Sequence, residues 1–152
     1  MPDNDLMMRA HASKTPVPEF PDPAFSKPPA LADARVAIVT SAALHVDAAA
    51  GFSPNADPKF SELDRDERAL RLGHFSPNFD RGGFAADLNV VYPIDRLLEL
   101  AQRGTIGSVA SHHYAFAGNQ NETVSGIRLD TGPEVAKRLL ADDVDVVLLT
   151  PV

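Results

Sequence analysis

The sequence predicts an α/β fold: a mostly parallel sheet with covering helices, in a Rossmann-like three-layer arrangement. Three observations carry this reading. The segment Arg35-Val-Ala-Ile-Val-Thr-Ser41 keeps its apolar residues together instead of alternating them, as a strand covered on both faces does. The segment Val144-Asp-Val-Val-Leu-Leu149 has the same character. Between the two, strand-like and helix-like stretches alternate, the order that builds parallel strands through helical crossovers.

Taken in order, residues 1–33 come first. Seven of the thirteen prolines fall in the first thirty residues, with no apolar period to bury. This predicts an extended, Pro-rich disordered arm ahead of an α/β domain over 34–152. A second reading makes the arm a strap that Phe20 and Phe25 anchor on a partner subunit. Strand 35–41 ends in the small residues Thr40-Ser41-Ala42-Ala43, which let a ligand or another backbone come close. Residues 51–84, with Pro54, Pro58, Pro77, Gly73, Gly82 and Gly83, predict a long surface excursion, within which 61–72 has a weak helical spacing.

Residues 88–92 read as a second strand, followed by Pro93 at a helix start, where its missing N–H costs nothing. Ile94, Leu97, Leu98 and Ala101 stand at i, i+3, i+4 and i+7, and Gly104 closes the helix in a position that favours left-handed geometry. Residues 109–116 predict a third strand, and 117–129, rich in Gly and Asn, a loop. Thr131-Gly-Pro-Glu134 then has the pattern of a capping box, ahead of a helix with Val135, Ala136, Leu139 and Leu140 on its apolar face. The last strand, 144–149, reads as buried and leads to Thr150-Pro-Val152. In such folds the carboxyl ends of the strands form the ligand crevice, and a strand there normally continues into a covering helix. The C-terminal part of this domain is therefore expected to be missing from the 152 residues, its cover supplied by another chain or by a longer natural protein.

Composition removes several classes of function. Fourteen Lys and Arg against twenty-one Asp and Glu give a net charge of −7 with no basic run, which disfavours nucleic acid as a partner. No apolar stretch approaches the roughly 20 residues that span a bilayer, and the N-terminus lacks a secretory pattern, so the expected location is cytoplasmic, without a membrane partner. There is no cysteine, hence no disulfide, thiolate ligand or thiol nucleophile within these residues. Gly82-Gly83 follows no strand and opens no strong helix, which argues against a phosphate loop.

Several stretches carry a family resemblance: Arg35-Val-Ala-Ile-Val-Thr-Ser-Ala-Ala-Leu-His45, Asp87-Leu-Asn-Val-Val-Tyr-Pro-Ile-Asp-Arg96, Gly104-Thr-Ile-Gly107 and His112-His-Tyr-Ala-Phe-Ala-Gly118. Together they resemble the selenoprotein B family of glycine, sarcosine, betaine and D-proline reductases, over a match running from about Ala34 to Val152. The resemblance implies that Asp145-Val-Val-Leu-Leu-Thr-Pro-Val152 leads directly into a redox motif opening with selenocysteine, or cysteine in some members. It implies reductive cleavage of a C–N bond by a selenol/thiol pair, with a dithiol as electron donor and a small amine or amino acid as substrate. The family's pyruvoyl cofactor belongs to a partner subunit, so no cofactor is expected in this chain beyond the selenocysteine after Val152. Because selenocysteine is encoded by a triplet normally read as stop, truncation at a UGA codon is expected, and the chain as written is expected to be inactive. A selenol is the stronger acid than a thiol, whose reference pKa of about 8.5 leaves little anion at neutral pH.

The candidate site residues follow. Thr40, Ser41 and Thr150, at strand ends, have hydroxyls that suit either orientation of a substrate carboxylate or capping of free backbone groups. His45 matches the family's turn and is the candidate proton donor to a departing amine, its reference pKa of about 6.5 lying near working pH; the alternative is a surface histidine without a role. Arg96 suits either a substrate carboxylate or pairing with a strand-end carboxylate such as Asp87. His74, His112 and His113 lack the helical spacing of metal ligands, and no metal is expected. In 112–116, alternation sends His112 and Tyr114 to one face and His113 to the other. Two other functions remain open beside the reductase component: a non-catalytic binding or assembly subunit, docking through an open sheet edge to another chain or as a homo-oligomer, and a stand-alone thiol or selenol reductase without a pyruvoyl partner.

Overall fold

The computed structural model describes residues 3–14, 26–75, 81–120 and 124–152. The strands are β1 (Arg35–Thr40), β2 (Leu44–Val46), β3 (Phe60–Asp64), β4 (Leu70–Leu72), β5 (Ser108–Val109), β6 (His112–Phe116) and β7 (Val146–Thr150). The helices are α1 (Asp3–Ala12), α2 (Arg81–Ala86), α3 (Ile94–Gln102) and α4 (Gly132–Ala141). β1 is central. One of its edges pairs in parallel first with β5 and then with β6; the other pairs in parallel with β7 along Val36–Thr40, and β3 joins antiparallel beyond β6. β2 and β4 form a separate antiparallel pair.

Burial on both sides explains the unalternating sequence of β1. Val36 and Ile38 pack with Ile94 and Leu97 of α3, while Ala37 and Val39 pack with Val135 and Leu139 of α4. The three layers expected from the sequence are therefore present, one helix on each face of the sheet. α3 begins and ends as predicted, with Asp95 in its first turn and Gly104 at φ +68° beyond its end.

Several local expectations are corrected. Residues 61–72 are not helical: β3 and β4 occupy them, because Leu63 buries into the core while its strand pairs with β6. Residues 88–92 form a short 3₁₀ turn (Leu88–Val90) rather than a strand. There Asp87 accepts the Asn89 N–H (2.9 Å), and Asn89 bonds the Asp95 carboxylate (3.0 Å) and N–H (3.0 Å), a local polar network that turns the chain into α3. The loop expected over 117–129 becomes helical before its end, through a π-turn (Ile127–Thr131) that runs into α4. Consequently the capping box does not form: the Thr131 hydroxyl donates to the Pro58 carbonyl (2.6 Å) and Glu134 binds Arg138 (3.0 Å). Finally, β7 lies at the edge of the sheet and is half covered, with Leu148 38% and Leu149 68% exposed.

The third predicted strand is split. Between β5 and β6 the Asp142 carboxylate accepts the N–H groups of Ser111 (2.9 Å) and His112 (3.2 Å), and at the interrupted ladder the Ile38 N–H donates to Nδ1 of His113 (2.9 Å). That bond leaves the proton on Nε2, and burial pushes the His113 pKa down to about 4. As alternation required, Tyr114 packs toward α4, while His113 meets Tyr92 edge-on at 5.5 Å.

At the N-terminus, Asp3–Ala12 is helical rather than extended, with Leu6 and Met7 exposed. Phe20 and Phe25 lie outside the described residues. Ala34 is buried. Gly107 passes so close that an added Cβ would sit 2.6 Å from the Asp33 backbone. Among the described residues no helix is long and apolar enough to cross a membrane.

Candidate active site

The chain crosses from β1 through α3 to β6 on one side, then through α4 to β7 on the other. Opposite crossovers part the loops above the carboxyl ends of β1 and β7, which is where open α/β sheets bind ligands. A cavity of about 310 Å³ opens at this place, lined by Thr40, Ser41, Phe116, Ile127, Leu149 and Val152 among others. Its lining is mainly apolar, and no charged side chain among the described residues contributes to it.

Three of the sequence-predicted residues meet here. The Thr40 hydroxyl donates to the Thr150 carbonyl (3.2 Å) and accepts the Ala42 N–H (3.2 Å). The Ser41 N–H donates to the same Thr150 carbonyl (3.3 Å), and the Ser41 hydroxyl accepts the Val152 N–H (2.8 Å) while lying 3.4 Å from the Val152 carbonyl oxygen. The Thr150 hydroxyl donates to the Val91 carbonyl (3.0 Å). All three hydroxyls thus tie backbone groups, and residues 150–152 are held against the end of β1.

The turn after β1 is equally constrained. Ala43 is buried at φ +54°, a left-handed conformation that costs a non-glycine residue about 1 kcal/mol or more. It is fixed there because its N–H donates to Phe116 (2.8 Å) and its carbonyl accepts the Gly73 N–H (2.9 Å).

The other two predicted residues stand elsewhere. His45 is in β2, buried under the turn, with Nδ1 3.3 Å from the Ala43 carbonyl and its ring edge-on to Phe52 at 6.1 Å. Gly51 and Gly73 press on it closely: a Cβ on either would lie 3.2–3.3 Å from the ring. Arg96 is on the exposed side of α3, paired with Glu99 (2.9 Å) rather than with a strand-end carboxylate.

One residue that sequence reasoning did not place at the site does reach it. His74 lies in the segment after β4 and is hydrogen-bonded to the Val152 backbone. Burial lowers its pKa, the Val152 bond opposes this, and the nearby Arg81 adds to the lowering. A second cavity of about 440 Å³ is lined by Pro54, His74, Phe75, Gly118, Asn119 and Val152. Nothing in the spacing of residues 65–75 distinguishes His74, because its position depends on a contact with Val152, far later in the chain. Among the described residues, no group of three or more His, Asp or Glu side chains is arranged to hold a metal ion.

A family model described as glycine/sarcosine/betaine reductase selenoprotein B matches residues 6–152. The D-proline reductase subunit gamma of Acetoanaerobium sticklandii is 32% identical over 120 residues, covering 79% of this chain and 49% of that protein. Two proteins named glycine reductase complex component B subunit gamma also match. That of Symbiobacterium thermophilum is 26% identical over 96% of this chain and 36% of its own length; that of Carboxydothermus hydrogenoformans is 29% identical over 87% and 32%. The chain therefore spans half or less of the length of these relatives. No solved structure matches it.

Proposed function

The chain belongs to the glycine/sarcosine/betaine reductase selenoprotein B family, and from that premise we propose that it is the redox component of a reductase that cleaves the C–N bond of a small amine or amino acid. The observation that supports the proposal is that Val152 is fixed beside the switch-point cavity, its N–H on the Ser41 hydroxyl (2.8 Å), where a group attached next to it would stand at the crevice mouth.

A selenolate or thiolate carried after Val152 would supply the nucleophile, a dithiol the electron pair, and a pyruvoyl group on a partner subunit the activation of the amine. The chain's own residues supply placement. Thr40, Ser41 and Thr150 lock the strand end, and the apolar lining keeps water from the reacting carbon. Among the described residues no charged side chain lines the cavity. His45 supports the turn from beneath, and Arg96 takes no part.

A second reading, an assembly subunit, is favoured by one observation: β7 presents an uncharged outer edge with Leu148 and Leu149 exposed, the kind of edge that pairs with another chain. One experiment separates the two. The gene is expressed with the codon after Val152 changed to cysteine and the downstream frame retained, and dithiol-dependent reduction of D-proline, glycine, sarcosine and betaine is assayed with and without pyruvoyl-containing partner subunits. Turnover of any of them supports the reductase. Turnover of none, together with self-association that Leu149→Lys abolishes, supports the assembly role.

A further inference from the structure

Three separate parts of the chain converge on Val152. An added Cβ at Gly118 would lie 3.3 Å from the Val152 carbonyl oxygen, 3.4 Å from Nε2 of His74 and 3.4 Å from the Ser41 carbonyl oxygen. Gly118 is thus the gap through which these groups approach each other. Val152 and Gly118 line both cavities, whereas His74 lines only the second and Ser41 only the first. The strand end is a partition between two spaces, held from one side by a hydroxyl and from the other by an imidazole.

His74 is itself held from two directions. Its predecessor Gly73 donates its N–H to Ala43 (2.9 Å), in a fit so close that a Cβ on Gly73 would lie 2.8 Å from the Ala43 carbonyl oxygen. Its own carbonyl accepts a bond from Nη2 of Arg81, the first residue of α2 (2.8 Å). A residue whose backbone is anchored this way presents its side chain from a fixed base, which is what a supporting group around a reactive position requires.

We infer that His74 is a positioning residue: by bonding the Val152 backbone opposite Ser41, it fixes the direction in which the chain leaves β7 and sets the next side chain at the mouth shared by the two cavities. The inference rests on the reductase reading for its meaning, because it concerns the residue said to carry the chemistry. It does not need turnover for its test.

The chain contains no cysteine, so one cysteine appended after Val152 is a unique attachment point for a nitroxide label. Paramagnetic broadening falls steeply with distance and therefore reports where the label sits. In the wild-type background the label is expected to broaden the Ser41, Gly118 and Asn119 amide resonances selectively and to give a restricted electron paramagnetic resonance line shape. His74→Asn, too short to reach Val152, loses both effects; His74→Gln, long enough to donate a hydrogen bond to the same carbonyl, restores them. Identical spectra in wild type and His74→Asn overturn the inference, and so does a failure of His74→Gln to restore them. A protein that reduces none of the four amines but passes this test defeats the function proposed above and leaves the positioning role standing.

Discussion

β7 is tied to β1 at both ends, but by opposite kinds of chemistry. At the amino end charge takes part: the Arg35 N–H donates to the Asp145 carboxylate (2.8 Å) and the Arg35 guanidinium pairs with Asp142, beside a backbone bond from the Asp145 N–H to the Arg35 carbonyl (3.0 Å). At the carboxyl end they are neutral: three hydroxyls, backbone groups and the imidazole of His74. A charged clasp holds strands together strongly but fills its surroundings with fixed charge. The neutral clasp holds a strand end in place and leaves an apolar space beside it, which is where a reaction that must exclude water can be run. On the proposed reading the amino end serves stability and the carboxyl end serves the site.

The comparison breaks most readily at Asp142, which serves Arg35 and two backbone N–H groups at once. Asp142→Ala strands all three donors and is expected to cost about 3 to 4 kcal/mol in urea unfolding. Burial opposes ionisation of Asp142, but the bonds from His112, Ser111 and Arg35 outweigh it and hold its pKa below the usual value. A depressed carboxylate pKa gives stability that is present above the unfolded value and lost as pH falls through the folded one, so this contribution disappears only below about pH 4.

Above that range a different group acts. His113, with its pKa lowered to about 4, is neutral in the fold, while the unfolded chain takes up a proton below about pH 6.5. Stability therefore falls as pH drops from about 6.5 to about 4, by about 3 kcal/mol. His113→Gln, which does not titrate, should flatten that part of a stability-against-pH curve measured by chemical unfolding.

At the carboxyl end the effects on stability are smaller and more local. Ser41→Ala is expected to cost no more than about 1 kcal/mol globally. It should nevertheless speed hydrogen exchange of the Val152 amide, which loses its acceptor, while amides in the middle of β1 keep their protection. Arg96→Ala, on the exposed side of α3, should change unfolding by less than about 0.5 kcal/mol.

Legibility in the sequence followed the same division. Strand β1 and helix α3 were readable because their apolar spacing is a direct consequence of burial on two faces and on one. The 3₁₀ turn at Leu88–Val90 was not, since Val90, Val91 and Tyr92 look like a strand until the Asp87–Asn89–Asp95 network is known. β3 and β4 were misread for a related reason: their pairing partners lie far along the chain, and long-range pairing overrode a weak local period. Thr40, Ser41 and Thr150 stood out in the sequence because strand ends are where such folds bind ligands, and they line one cavity. His74 was missed because its place is set by the closeness that Gly118 allows.

The central claim is that the carboxyl ends of β1 and β7, rather than the α3 surface, form the working site. Its most direct test is kcat/KM of the cysteine-bearing, full-frame protein on whichever amine it reduces, compared between Ser41→Ala and Arg96→Ala. The expected result is a loss of about tenfold or more for Ser41→Ala, equivalent to about 1.4 kcal/mol of transition-state stabilisation, with Arg96→Ala unchanged. The reverse pattern, activity surviving at Ser41→Ala and lost at Arg96→Ala, would contradict it.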